Sequence, residues 1–147
     1  MPQVKAICLS DKKGIKIEVD SAIFIENFGI KNDFHAKKDS LRQVSILNYE
    51  IFHKKKDELL KNNIQIQYGA FGENLIIDDF DFNSIKIGTR FVFESKVELE
   101  VTIIGKDCIS PCIIQKKTGN CIMPEYGIFC RVIKGGVLKN GDSCYYC

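Results

Sequence analysis

The chain has 147 residues, 45% hydrophobic and 27% charged, with a net charge of +2. This is the size of a single domain, 1–147, whose core needs no metal or disulfide staple. So small a net charge gives no electrostatic case for nucleic acid, and no apolar run approaches the roughly 18 residues of a membrane span.

The first twenty residues, MPQVKAICLSDKKGIKIEVD, lack the apolar stretch of a secretion signal, so a cytoplasmic protein with reduced thiols is expected. Within them GIKIEV alternates Ile15, Ile17 and Val19 with polar residues. Period two marks a half-buried strand, with the isoleucines inward. Next comes GIKNDFHAKKDSLRQVSIL, a Gly-containing turn that carries Asp33 and His35 toward a strand entered by Arg42-Gln43-Val44-Ser45.

NYEIFHKKKDELLKNN predicts a helix from about Asn48 to Lys61. Asn48 is the expected N-cap. Glu50–Lys54 and Asp57–Lys61 are i,i+4 pairs in the favourable order. The run HKKK reads as a solvated helix face rather than a nucleic-acid patch.

YGAFGENLII is a Gly turn that carries Glu73 and Asn74 into a strand. SIKI and RFVFE are further strand candidates. KVELEVTI alternates most cleanly, with Val97, Leu99, Val101 and Ile103 on one face. IFCRVI and SCYY complete the set, with Gly and Asn-Gly-Asp turns between them. Many short strands and one helix predict a mainly β fold, a barrel or a sandwich.

Seven cysteines, an odd number, are spread over the chain. Cys108, Cys112 and Cys121 lie in GKDCISPCIIQKKTGNCIMP, and Cys144 and Cys147 form a C-x-x-C at the C-terminal end. A disulfide framework suits neither the odd count nor a reducing compartment. A zinc site from Cys108, Cys112, Cys144 and Cys147 has enough ligands but unusual spacing. The third reading is one reactive thiol. Cys112 follows a proline, and Lys106, Lys116 and Lys117 are near in sequence. Nearby cations lower a thiol pKa. Cys8 and Cys130, inside apolar strand patterns, read as packing residues.

The stretches GIKNDFH, RQVS, GAFGENL, LEVT, SPC and GGVLKNGD stand in the order and at the separations of the MOSC domain, named after the C-terminal domain of molybdenum cofactor sulfurase. The chain resembles that family over most of its length. The resemblance implies a β-barrel with one or few short helices and a site for molybdenum cofactor. It also implies a functional cysteine at the position of Cys112, as sulfur carrier or molybdenum ligand. The family's glycine before the first-turn aspartate is Asn32 here, a residue that tolerates positive φ.

The cofactor carries a phosphate and a polar pterin. Arg42 suits the phosphate, because its planar fork matches an oxyanion. Glu73 and Asn74 are candidates for the pterin edge, His35 for an oxo group or the phosphate, and Asp33 completes the cofactor-binding set. Each has a plainer reading: Asp33, His35 and Asn74 as turn residues, and Arg42 in an ion pair.

The expected function is cofactor binding or sulfur carriage on Cys112 in molybdenum cofactor biogenesis. The expected partners are a cysteine desulfurase or cofactor-biosynthesis proteins, with no nucleic acid and no membrane. Two alternatives stay open: a small molybdenum reductase of N-hydroxylated compounds, and a non-catalytic cofactor chaperone.

Overall fold

The structure, a computed structural model, describes residues 1–105 and 122–147. The chain forms strands β1 (Val4–Leu9), β2 (Ile17–Val19), β3 (Ser21–Ile25), β4 (Gly29–Ile30) and β5 (Val44–Asn48), then helix α1 (Tyr49–Leu60). Strands β6 (Leu75–Ile77), β7 (Arg90–Phe93) and β8 (Glu98–Ile104) follow. The short helix α2 (Met123–Tyr126) precedes β9 (Ile128–Lys134), β10 (Gly136–Lys139) and β11 (Cys144–Tyr146).

An eight-stranded sheet runs β11-β7-β8-β9-β5-β6-β1-β2, and a three-stranded sheet runs β10-β3-β4. Among the described residues only β5 and β6 pair in parallel, with α1 in the connection between them. The fold is mainly β, as the alternating patterns require, but the strands form two sheets rather than one closed ladder. An isolated bridge, Gln3 to Ser143, ties the segment before β1 to the segment before β11.

Two apolar layers cover the two faces of the larger sheet. Val4, Ile7, Val44, Ile46, Leu75, Leu99 and Val132 share one layer with Phe24, Ile30 and Leu138 of the smaller sheet. On the other face Ala6, Cys8, Leu47 and Ile76 pack against Phe52 and Leu59 of α1 and against Phe71 and Met123. Strand β5 is therefore buried along its whole length. Such a strand reads as a continuous apolar run rather than an alternation.

Helix α1 starts where its cap predicts: the Asn48 carboxamide oxygen accepts a hydrogen bond from the Ile51 N–H at 3.1 Å. The expected i,i+4 ion pairs do not form among the described residues. Lys55 instead pairs with Glu58 at 3.3 Å, and Glu50 accepts a hydrogen bond from the Asp79 N–H at 3.0 Å. SIKI is not a strand, because a 3₁₀ turn over Phe82–Ser84, capped by Asp81, takes up its start.

The clearest departure is GIKIEV. Ile15 and Ile17 are 48% and 71% exposed, whereas Lys16 is 2% exposed. The pattern has the expected period with the faces exchanged, and a buried anion is the physical reason.

Candidate functional site

The registers bring three strand ends together. Ile46 of β5 lies beside Leu75 of β6, and Leu75 lies opposite Ile7 of β1. The starts of β5 and β6 and the end of β1 thus share one end of the sheet. The loops that leave this end carry Arg42, Glu73, Asn74, Ser10, Asp33 and Lys16.

Lys16 and Asp33 form the centre. The Lys16 Nζ lies 2.6 Å from Asp33 Oδ1, and both side chains are 0% exposed. Asp33 Oδ1 also accepts from the Ser10 N–H at 3.2 Å, and Oδ2 accepts from the His35 N–H at 3.2 Å. Asn32 stands at φ 72°, so the turn survives the absence of the family's glycine. The second contact of Lys16 Nζ is His35 Nδ1, at 3.0 Å.

Burial and the Lys16 charge hold His35 far below its ordinary range, at a pKa of about 4. Lys13 and Arg42 push in the same direction, and Asp33 opposes them. The half-buried ring therefore stays neutral in a field made mostly by cations. Burial also lowers the Lys16 pKa, and the Asp33 contact counteracts this.

The loop after Ile66 positions Lys16. The Lys16 N–H donates to the Gly69 carbonyl at 2.9 Å. Gly69 has φ +93°, and a Cβ there would stand 2.1 Å from the Lys16 carbonyl oxygen, so only glycine fits. The buried Glu73 carboxylate braces this loop, accepting from the Gly69 N–H at 2.7 Å and the Phe71 N–H at 3.0 Å. Desolvation lifts its pKa to about 7, against those hydrogen bonds and the Lys16 charge.

Asn74 joins the three strand ends. Its Oδ1 accepts from the Ser45 N–H at 2.9 Å, and its Nδ2 donates to the Cys8 carbonyl at 3.1 Å. Its backbone N–H meets Ser45 Oγ at 3.0 Å. Glu73 and Asn74 are both 0% exposed, so each holds the frame of the site rather than lining its surface.

Arg42 is half-buried, with its guanidinium carbon 5.8 Å from the centre of the Phe129 ring. The buried Gln43 fixes the backbone beside it. Its Nε2 donates to the Lys37 carbonyl and to Asn27 Oδ1, and its Oε1 accepts from the Val132 N–H at 3.0 Å. No ion pair of Arg42 occurs among the described residues.

The structure therefore brings Asp33, His35, Glu73 and Asn74 together, with Arg42 close enough to act on His35. Sequence reasoning missed Lys16. The one available signal was a lysine between two isoleucines on a short strand. Cys108, Cys112 and Cys121 lie outside the described residues, and with them lie the zinc and reactive-thiol readings of that segment. Cys8, Cys130 and Cys144 are buried free thiols, and Cys147 is exposed. Burial pushes the Cys144 thiol up to about 12, and Cys8 and Cys130 rise further for the same reason. Among the described residues no helix is long and apolar enough to cross a membrane.

A mainly β fold with a charged cluster at its strand ends is the architecture the sequence motifs imply. Residues 31–145 match the MOSC domain, and the chain belongs to that family. The fold is similar to that of the YuaD protein from Bacillus subtilis, at 22% identity and a TM-score of 0.76, covering 98% of this chain and 94% of that one. It is also similar to YiiM from Geobacillus stearothermophilus, at 17% identity and a TM-score of 0.70, covering 100% and 75%. YiiM from Escherichia coli has 18% identity and a TM-score of 0.66, covering 99% and 69%. No curated protein matches the chain.

Proposed function

We propose that the protein binds molybdenum cofactor, or a phosphate-bearing precursor, at this end of the sheet and handles sulfur through Cys112 in cofactor biogenesis. One observation carries the reading: the half-buried His35 ring stands 3.0 Å from the Lys16 ammonium, and Lys13 and Arg42 add positive charge to its surroundings. That donor set fits an oxyanion. Arg42 offers a planar fork to phosphate, and His35 offers a ring N–H. Asp33 leaves a net positive field, since it is one carboxylate among those cations. Glu73 and Asn74 hold the loops in place. The bound cofactor would supply the dithiolene-held metal, for which a soft thiolate is a suitable ligand.

Family membership supports Cys112 as the thiol. In sulfur carriage, the Cys112 thiolate attacks the outer sulfur of a cysteine desulfurase persulfide. The old S–S bond breaks, the desulfurase thiolate leaves, and Cys112 carries the sulfane sulfur to an acceptor. The reaction belongs in the cytoplasm, where thiols stay reduced. The proposed fold is the family's barrel, and the Gln3–Ser143 bridge supports it by tying β11, one edge of the larger sheet, to β1, the strand next to the other edge.

Native mass spectrometry of protein purified from its own host tests the reading. The cofactor mass or a one-sulfur adduct on the Cys112 peptide is expected. Protein that carries neither, and takes up neither from a desulfurase or from free cofactor, refutes it.

A further inference from the structure

We propose that Lys16 is a positioning residue that fixes His35 as the neutral imidazole protonated on Nε2, so that the site meets an oxyanion with an uncharged ring N–H alongside the charge of Arg42. The inference deepens the reading of this strand end as an oxyanion site and rests on it.

The argument begins with donors and acceptors. A lysine ammonium has three donors and no acceptor. One N–H of Lys16 meets Asp33 Oδ1 at 2.6 Å, and the ammonium also stands 3.0 Å from His35 Nδ1. Asp33, fully buried beside it at 2.6 Å, favours the charged form of Lys16 against the burial that lowers its pKa. Nδ1 must then present its lone pair, and the neutral ring carries its proton on Nε2.

The other tautomer lacks an acceptor. An Nδ1–H would face the ammonium, and the nearer carboxylate oxygen, Asp33 Oδ2, is 4.0 Å away. That oxygen is already engaged by the His35 N–H. An imidazolium fares worse, because it would place a second cation 3.0 Å from Lys16. The groups that act on the ring within the described residues are Lys13, Lys16 and Arg42 against Asp33 alone. Phe34 stands edge-on to the ring, with centroids 5.3 Å apart at 86°, and limits its rotation.

This arrangement sets specificity. A ring N–H in the field of the Arg42 guanidinium accepts groups that offer only lone pairs, such as phosphate or oxo oxygens. It needs no protonation event, so anion affinity stays level as pH rises through the ordinary histidine range. A site built on imidazolium would lose about tenfold in affinity per pH unit above the histidine pKa.

The chain has two histidines, so His53→Gln assigns the ring signals directly. Long-range proton–nitrogen correlation spectra of ¹⁵N-histidine-labelled protein should show His35 with unprotonated Nδ1 and protonated Nε2, unchanged from pH 5.5 to 8. A protonated Nδ1, an averaged tautomer pattern, or an imidazolium that titrates near the ordinary value overturns the inference. In folded Lys16→Met, tautomer averaging and a raised His35 pKa are expected, and wild-type behaviour there also overturns it. Wild-type protein alone decides the case if that variant fails to fold.

Inorganic phosphate and molybdate, titrated separately against the same signals, separate the two layers. For molybdate, which keeps its charge throughout this range, affinity that stays level between pH 6 and 8 supports both. Loss of about tenfold per pH unit overturns the role given to His35. The expected tautomer with no response to either anion upholds the Lys16 inference and refutes the anion site.

Discussion

Lys16 Nζ and Asp33 Oδ1 stand 2.6 Å apart with neither side chain exposed to solvent. Each ion is worth burying only with the other present, since an unpaired charge in the interior costs several kcal/mol. The pair joins the loop before β2 to the turn after β4, and Asp33 passes the link on to Ser10 and His35.

Lys16→Met should destabilise the fold by roughly 3–5 kcal/mol, because Asp33 is left buried without its cation. The double variant Lys16→Met, Asp33→Asn should recover a substantial part of that loss. Urea unfolding of the three proteins is the measurement. Additive losses in the double variant would show that the two side chains are not coupled.

Asn74→Ala strips the Ser45 N–H and the Cys8 carbonyl of their side-chain partner inside the sheet. Two unsatisfied buried groups should cost about 3 kcal/mol. Hydrogen exchange should also accelerate at Ser45, whose N–H loses its acceptor, before it does at β8. A loss under 1 kcal/mol on the same scale would place Asn74 outside the frame of the site.

The pH dependence of stability should contain two opposed parts. Folded His35 takes its proton only near pH 4, whereas the unfolded residue takes it near 6.5, so its contribution falls as pH drops from 6.5 to 4. Folded Glu73 keeps its proton to about pH 7, whereas the unfolded residue loses it near 4.5, so its contribution falls as pH rises from 4.5 to 7. The slopes oppose each other between pH 4.5 and 6.5. Relative to wild type, the Tm of His35→Gln should drift down across that window, and that of Glu73→Gln should drift up. Difference curves that stay flat would remove both groups from the linkage.

Arg42→Lys keeps the charge and loses the fork. It should weaken phosphate or cofactor binding by roughly 1–2 kcal/mol and leave Tm almost unchanged. Isothermal titration gives the first quantity and a thermal scan the second. Equal affinity in the two proteins would confine Arg42 to its contact with Phe129.

Limited alkylation of native protein has a built-in reference. Cys147 is exposed, and Cys8, Cys130 and Cys144 are buried. Iodoacetamide should therefore mark Cys147 and spare the other three. Cys112 is expected to label faster than Cys147, because Lys106, Lys116 and Lys117 are near it in sequence and nearby cations raise the thiolate fraction. Slower labelling of Cys112 than of Cys147 would argue against a reactive thiol.

Local rules made much of this structure legible. Asn48 caps α1, Val97, Leu99 and Val101 point inward, and Asn32 adopts the positive φ that its turn requires. Each of these features is fixed by neighbours within a few residues. Lys16 was not legible for the opposite reason. Alternation gives a period but not a direction, and apolar Ile15 and Ile17 were the natural choice for the inner face. The anion that reverses the choice is Asp33, and the glycine that makes room is Gly69, far along the chain. SIKI failed in a similar way, since the Asp81 cap favours a turn over a strand. The motif residues Asp33, His35, Glu73 and Asn74 stood out in the sequence, yet which of them frame the cluster and which line it depends on burial, which no spacing reveals.

The Gly69 contact also bears on how the chain matures. Strands β1 and β2 form a local hairpin, with Ile7 opposite Val19, and can pair as soon as both exist. That hairpin alone gives the Lys16 backbone N–H no Gly69 carbonyl to donate to, a contact the folded chain makes at 2.9 Å. That contact requires β5, α1 and β6, joined by a parallel crossover, and long-range pairing of this kind is slow. The strand end is therefore expected to close late in folding. Substitutions at Gly69 should accordingly quicken unfolding far more than they slow folding.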